Sequence, residues 1–416
     1  TTLKERLDTK ETQFASQLTQ ITHNVEEVAV SITSFGASEE SEDNWNAIQS
    51  ALDYCMTHKK NLYIPNGEFI SSPMIKALYI NFDFKIFGEG KIICKDRSMS
   101  TDHEMLFHLR NEPGKVVTIT INGVTIDMNA RNNPLPDGSS AYAWEHNHAF
   151  FIRPRGEGEI NVNVNNVHII DPVADGINFS GVDRESFGYI NINGVTSEGR
   201  TRTRSDICIT ANFSVANIVN IDVDKLEVEI NNPIYPPVFN VLNFNIKQML
   251  DIHLGSELSQ GKITNGSVAQ QAFFWQYGGS VENVNFSLNR PFRLAHSDVS
   301  FINCNFTAKN WGDDYRLVYM AANNTDSNAK FSNCTFNYIG DSYPEYYFRK
   351  DHSGTNDKKV AFDNCEFLGE NVKAAYFRSG QILFRNCRFH GKGVNVKQFI
   401  TDGLDLEGNP IINKVE

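Results

Sequence analysis

No apolar run in this chain approaches the roughly 18 to 20 residues that a bilayer-crossing helix requires. The first 25 residues are polar and periodic, without the apolar stretch of a secretory leader. Basic residues are also in deficit: 38 Lys and Arg against 50 Asp and Glu leave a net charge of −12. That balance argues against nucleic acid or an anionic membrane as partner, because phosphate binding needs a concentrated positive field. The seven cysteines include no C-x-x-C pair, so the spacing of a structural zinc site is missing.

What is present is a repeat. Four cysteines recur in one short pattern: FINCNF at 301–306, FSNCTF at 331–336, FDNCEF at 362–367 and FRNCRF at 384–389. Earlier, looser copies are INGVTI (121–126), VNNVHI (164–169), INGVTS (192–197), ANIVNI (216–221) and VENVNF (281–286). Each has an apolar residue, an Asn, and then alternating apolar positions, the period-2 signature of a strand with one face inside. Asn before the strand suits a sharp corner, because it tolerates left-handed backbone angles. Units of this kind cannot bury a face alone and must stack. The expectation is an all-β chain, a right-handed parallel β-helix, with Asn ladders at the corners and reduced Cys, Val and Phe columns inside. The varied repeat lengths fit a sandwich or propeller poorly, and apolar slots filled by Val, Ile, Phe and Cys fit a leucine-rich horseshoe poorly.

A solenoid needs its end covered. In SEDNWNAIQSALDYCMTHKKN (41–61), Trp45, Ile48, Leu52 and Cys55 fall at helical spacing, with Asp43 as the expected N-cap. Upstream, Leu7, Phe14, Leu18, Ile21, Val25 and Val28 form a short heptad seam, either a frayed leader helix or an oligomerising stalk. Three regions are expected: a helical leader over 1–28, an opening with capping helix over 29–72, and the β-helix with its tail over 73–416.

Residues 28–72 resemble the opening of the pectate-lyase-like β-helix superfamily, through Ser34-Phe35-Gly36-Ala37, Ala47-Ile48-Gln49-Ser50-Ala51 and Leu62-Tyr63-Ile64-Pro65-Asn66-Gly67. Ser34 replaces the family's usual Asp, at a loop that is structural there. With a polar helical leader directly before it, this opening is similar to phage tailspikes and pre-neck appendages. The resemblance implies a homotrimer on a virion tail that binds, and often cleaves, a polymer of the bacterial surface. Fold alone does not fix the chemistry.

On stacked coils, residues distant in sequence meet at equivalent positions. VADGINFSG (173–181) and SDICITAN (205–212) align as one strand position repeated, with Asp175 over Asp206. Two carboxylates one rung apart could form an acid–base pair, or could merely cap turns. In GRTRTRS (199–205), Arg200, Arg202 and Arg204 alternate and would aim at one side, suiting an anionic polymer. Arg204 is also the nearest match to an Arg that the family often places before this strand. The insertion 127–155 carries Tyr142 and Trp144 for stacking on sugars, and Glu145 and His148 as further acid–base candidates. Asp171 joins the substrate-binding set. No resident cofactor is expected, although His146 and His148 with Asp127 or Asp171 could ligate a divalent cation. In AFFWQYGG (272–279), Phe274, Trp275 and Tyr277 could serve the groove, the core or trimer packing.

The reading is a trimeric tailspike-type depolymerase acting on an anionic polysaccharide or a teichoic-acid-like polymer, with hydrolase, lyase and phosphodiesterase chemistry unseparated. Its rival is a binding spike of the same fold without catalysis. Neither nucleic-acid binding nor membrane insertion is expected.

Overall fold

The computed structural model describes residues 28–73, 76–135, 144–181, 186–199, 204–230, 233, 235–256, 258–290, 292–295, 297–309, 316–320, 328–339, 346–350, 359–368, 373–377 and 381–390. The expected leader therefore lies outside the described residues, apart from Val28. Among the described residues no helix is long and apolar enough to cross a membrane.

The chain is a right-handed parallel β-helix. Every strand pairs in parallel with its counterpart one coil away, and each coil contributes strands to three faces. One coil shows the pattern: Phe150–Ile152 on the first face, Glu159–Asn165 on the second and His168–Ile170 on the third. The next coil places Ile177–Ser180, Ser186–Asn193 and Thr196–Glu198 directly against them. From residue 212 the corners tighten, and single bent strands such as Asn212–Glu229 and Val238–His253 run through all three faces.

The corner between the second and third faces explains the Asn pattern. Asn166, Asn220, Asn243, Asn265, Asn283, Asn303, Asn333, Asn364 and Asn386 all have φ between 51° and 57°. Their amides bond from coil to coil, as in Asn303 to Asn283 (3.2 Å) and Asn333 to Asn303 (3.3 Å). A side chain that can bond locally is the one tolerated in left-handed backbone, apart from glycine. Glycine takes the same corner at Gly123, where φ is 79° and an added Cβ would lie 2.5 Å from the Gly88 carbonyl oxygen.

Inside, the alternating apolar positions form columns. Phe301 stacks on Phe331 with ring centroids 4.8 Å apart, and Phe331 on Phe362 at 5.0 Å, which is the rung spacing. All seven cysteines are free and buried. Cys334, Cys365 and Cys387 donate to the carbonyls of Phe301, Phe331 and Phe362 on neighbouring coils. The thiols of the column are free, and each donates to a carbonyl along the stack.

Helix α1 (Trp45–His58) caps the first coil, burying Ile48, Ala51, Leu52 and Cys55 at spacings of three, one and three residues. One expectation is corrected: Asn44, not Asp43, holds the cap position, without a side-chain cap bond. The Asp43 carboxylate accepts from the Trp45 N–H (3.0 Å) and from the Ser72 N–H and hydroxyl (3.0 and 2.6 Å). It ties the helix start to the coil that the helix covers, which no helix-local pattern announces.

Candidate active site on the outer face of the first sheet

Strand alternation sends every second residue of the first face outward. The outward row runs in register from His108 through Phe151, Asn178, Cys208, Glu227, Asp251 and Phe273 to Arg293. Adjacent members lie about 4.8 Å apart at the backbone. Loops 99–105, 144–149 and 204–206 rise beside this row and enclose a cleft of about 560 Å³. Its early coils carry Arg110 and Arg153, and its later coils Glu227 and Glu229.

Asp175 sits at the wall of this cleft, fully buried. Its carboxylate accepts from Asn178 Nδ2 (2.8 Å) and the Ser205 N–H (3.0 Å), with Arg204 Nε at 3.8 Å. Burial pushes its pKa up, against the opposing pull of Arg204 and these hydrogen bonds. The alignment that set Asp206 above it is off by one residue. Ile177 pairs with Ile207, so Asp175 stacks against Ser205, and Asp206 against Gly176. A one-residue slip turns a side chain to the other face. Asp206 instead accepts from the N–H groups of Asp224 (2.6 Å) and Lys225 (2.8 Å), holding a corner rather than lining the cleft.

Ser205 joins two carboxylates. Its N–H serves Asp175, and its hydroxyl donates to Glu227. Arg204 reaches Asp175 and, through its other arm, Glu145 at 3.8 Å. His148 lines the same cleft, and its Nδ1 accepts from the Asp175 N–H (3.3 Å). The proton of a neutral imidazole then sits on Nε2, which is buried and has no hydrogen-bond partner. Burial first, then the charges of His146 and Arg204, bring the His148 pKa down to about 3. His148 therefore offers a fixed N–H donor near neutral pH, not a titrating base.

Other expected residues divide. Trp144 is buried and packs in the core instead of presenting a face to a sugar. Asp171 is buried away from the cleft and accepts from the Arg131 N–H (2.8 Å), serving a turn. Asp127 pairs with Arg131 (3.0 Å). The cation set of His146 and His148 with Asp127 or Asp171 is thus not assembled. Tyr142, Arg200 and Arg202 lie outside the described residues. In the 272–279 segment, Phe274 and Tyr277 are core residues, whereas Trp275 is half-exposed and stacks on His253 at 5.1 Å.

These coils, their corner ladder and their outward row fix the architecture. The fold is a three-faced, right-handed parallel β-helix. No known family's sequence pattern matches the chain, and no curated protein matches it. Among solved structures the chain is similar to the A-module of the mannuronan C-5 epimerase AlgE6 of Azotobacter vinelandii, at 14% identity and a TM-score of 0.48, covering 86% of this chain and 99% of that one. It is similar to the family 28 exopolygalacturonase of Yersinia enterocolitica, at 15% identity and a TM-score of 0.47, over 91% of this chain and 79% of that one. It is also similar to tailspike protein 3 of bacteriophage CBA120, at 12% identity and a TM-score of 0.43, over 88% of this chain and 62% of that one.

The β-helix also assembles acids that the sequence reading passed over. In LEVEI (226–230), Leu226, Val228 and Ile230 point inward, which sends Glu227 and Glu229 outward. Asp251 lies on the next rung against Glu227. Burial, then Glu227 and Glu229, push its carboxyl up to about 7, while Arg293 pulls the other way. The alternation of apolar and acidic residues was visible in the sequence. Its position was not, since a long bent strand carries no corner motif just before it.

Proposed function

We propose that this chain is a phage tailspike-type depolymerase that binds an anionic polymer of the bacterial surface, a polysaccharide or a teichoic-acid-like glycan, and cleaves it. The observation that carries the reading is the stacking of Glu227, which lines a cleft holding Arg110, Arg153 and Arg204, against Asp251 on the next rung, just past the cleft lining. Burial first, then the neighbouring Glu227 and Glu229, push the Asp251 carboxyl up to about 7, so that it keeps its proton close to neutrality. Asp251 is the proton donor to the leaving oxygen, with the Glu227 carboxyl beside it on the adjacent rung. Arg204 holds a negative group of the substrate, and Glu145 and Asp175 position that guanidinium. His148 donates Nε2–H to the polymer. Asp206 is given no catalytic role. Trimer assembly and attachment to a virion tail rest on the heptad seam of residues 3–28 and on the resemblance of the opening region.

The test is digestion of purified bacterial surface polymers, with products sized and weighed. Shortened chains are expected, with turnover down about 10²- to 10⁴-fold in Asp251→Asn and Glu227→Gln while polymer binding persists. An unsaturated end marks a lyase, a new reducing end a glycosidase, and a phosphomonoester a phosphodiesterase. Intact polymer that co-elutes with the protein and with both variants alike would establish the binding spike instead.

A further inference from the structure

We infer that Asp102, His103 and His146 form a site for a divalent transition-metal ion of the zinc type at the rim of the cleft. Their ligating atoms all lie within 4.8 Å of one another. Asp102 Oδ2 is 2.7 Å from His146 Nδ1 and 4.0 Å from His103 Nε2, and the two imidazoles stack at 4.5 Å. An Asp–His hydrogen bond accounts for two of these residues but gives no reason for the third ring. Two imidazoles and one carboxylate make a donor set suited to zinc, cobalt or nickel, whereas calcium and magnesium favour oxygen alone.

Buried Glu104 and Asn147 brace the two loops that carry these residues. Asp102 and His103 come from the loop before strand Phe107–Asn111, and His146 from the loop before Phe150–Ile152 on the next coil. Buried Glu104 accepts from the N–H groups of Ser100 (2.6 Å) and Thr101 (3.2 Å) and from the Ser100 hydroxyl (3.0 Å). Buried Asn147 accepts from the Glu104 N–H (3.0 Å) and donates to the Thr101 carbonyl (2.9 Å), locking one loop to the other. The His146 N–H is fixed on Asp102 Oδ1 at 3.0 Å, and its Nδ1 meets Oδ2 at 2.7 Å, a contact that an ion bound between the two atoms would replace. Support of this kind is what a metal site needs around its ligands.

The position gives the ion access to substrate. His103 and His146 line the cleft beside His148, whose buried Nε2 has no hydrogen-bond partner. Three protein ligands leave a coordination position for an oxygen of an anionic polymer. Binding of the ion itself does not depend on the depolymerase reading, since it can be measured without polymer.

The experiment uses the full chain after dialysis against a chelator. Calorimetric titration with zinc chloride and visible absorption with cobalt(II) are expected to report one ion per chain. Affinity should fall by at least roughly tenfold in His103→Ala and in His146→Ala, with the cobalt bands lost in the double variant. His168→Ala, whose imidazole bonds Thr196 on the third face, should bind as the unaltered chain does. Absence of a saturable site, unchanged affinity in the double variant, or equal binding of calcium would overturn the inference. Circular dichroism that matches the unaltered chain keeps loss of fold from imitating the expected result.

Discussion

At Asp251 burial and neighbouring charge act in the same direction. The carboxyl lies partly out of water and against two other acids, so its charged form is disfavoured and its pKa rises to about 7. In an unfolded chain an Asp titrates near 3.9. The folded state therefore holds the proton more tightly, and the stability this gives is present below about pH 4 and lost as pH rises to about 7. Asp251→Asn should raise the unfolding temperature relative to the unaltered chain at pH 8, and change it little at pH 4. An equal shift at both values would show that Asp251 does not titrate between them. The same proton sets the rate profile: activity is expected to fall on the alkaline side with an apparent pKa near 7, a value belonging to the coupled acids. Exposed Glu229 contributes part of the upward push. Glu229→Gln should thus move the alkaline limb to lower pH while activity survives, and a limb that stays in place would remove Asp251 as the donor.

At the scale of the element, the corner decides whether a coil can close. Asn303 combines left-handed backbone (φ 54°) with amide bonds to Asn283 and Asn333. Alanine there loses both bonds and keeps an unfavourable conformation, a cost of about 2–3 kcal/mol. Glycine loses the bonds but relieves the backbone, at about 1 kcal/mol. Chemical denaturation of Asn303→Ala and Asn303→Gly should separate them in that order. Equal losses would mean that the ladder bonds, not the backbone, set the stability of the corner. The Cys slots were legible for a related reason: one position per coil, with the same neighbours above and below, repeats the same demand for a small apolar side chain.

The whole molecule grows by stacking, so contacts along its axis are local to adjacent coils. If residues 3–28 are the oligomerising seam, light scattering should give three chains per particle for the full chain and one for a chain starting at residue 29. A truncated chain that remains trimeric would place the interface on the coils themselves.

The sequence by itself determined the β-helix, its corner ladder, its cysteine and phenylalanine columns and the face of the capping helix. Each is a short pattern that reports on its own coil, or repeats from coil to coil. It also picked out Asp175, Arg204, Glu145 and His148, which the fold gathers at one cleft. Only the tertiary structure decided which residues share a rung. Paired positions are 30 residues apart from Ile177 to Ile207, 19 from Ile207 to Leu226 and 24 from Leu226 to Leu250. With coil length so variable, a misalignment of one residue turned Asp206 into a false partner for Asp175 and left Glu227 and Asp251 unseen. A side chain's neighbours across the coils depend on register, and register is set by the packing of whole coils.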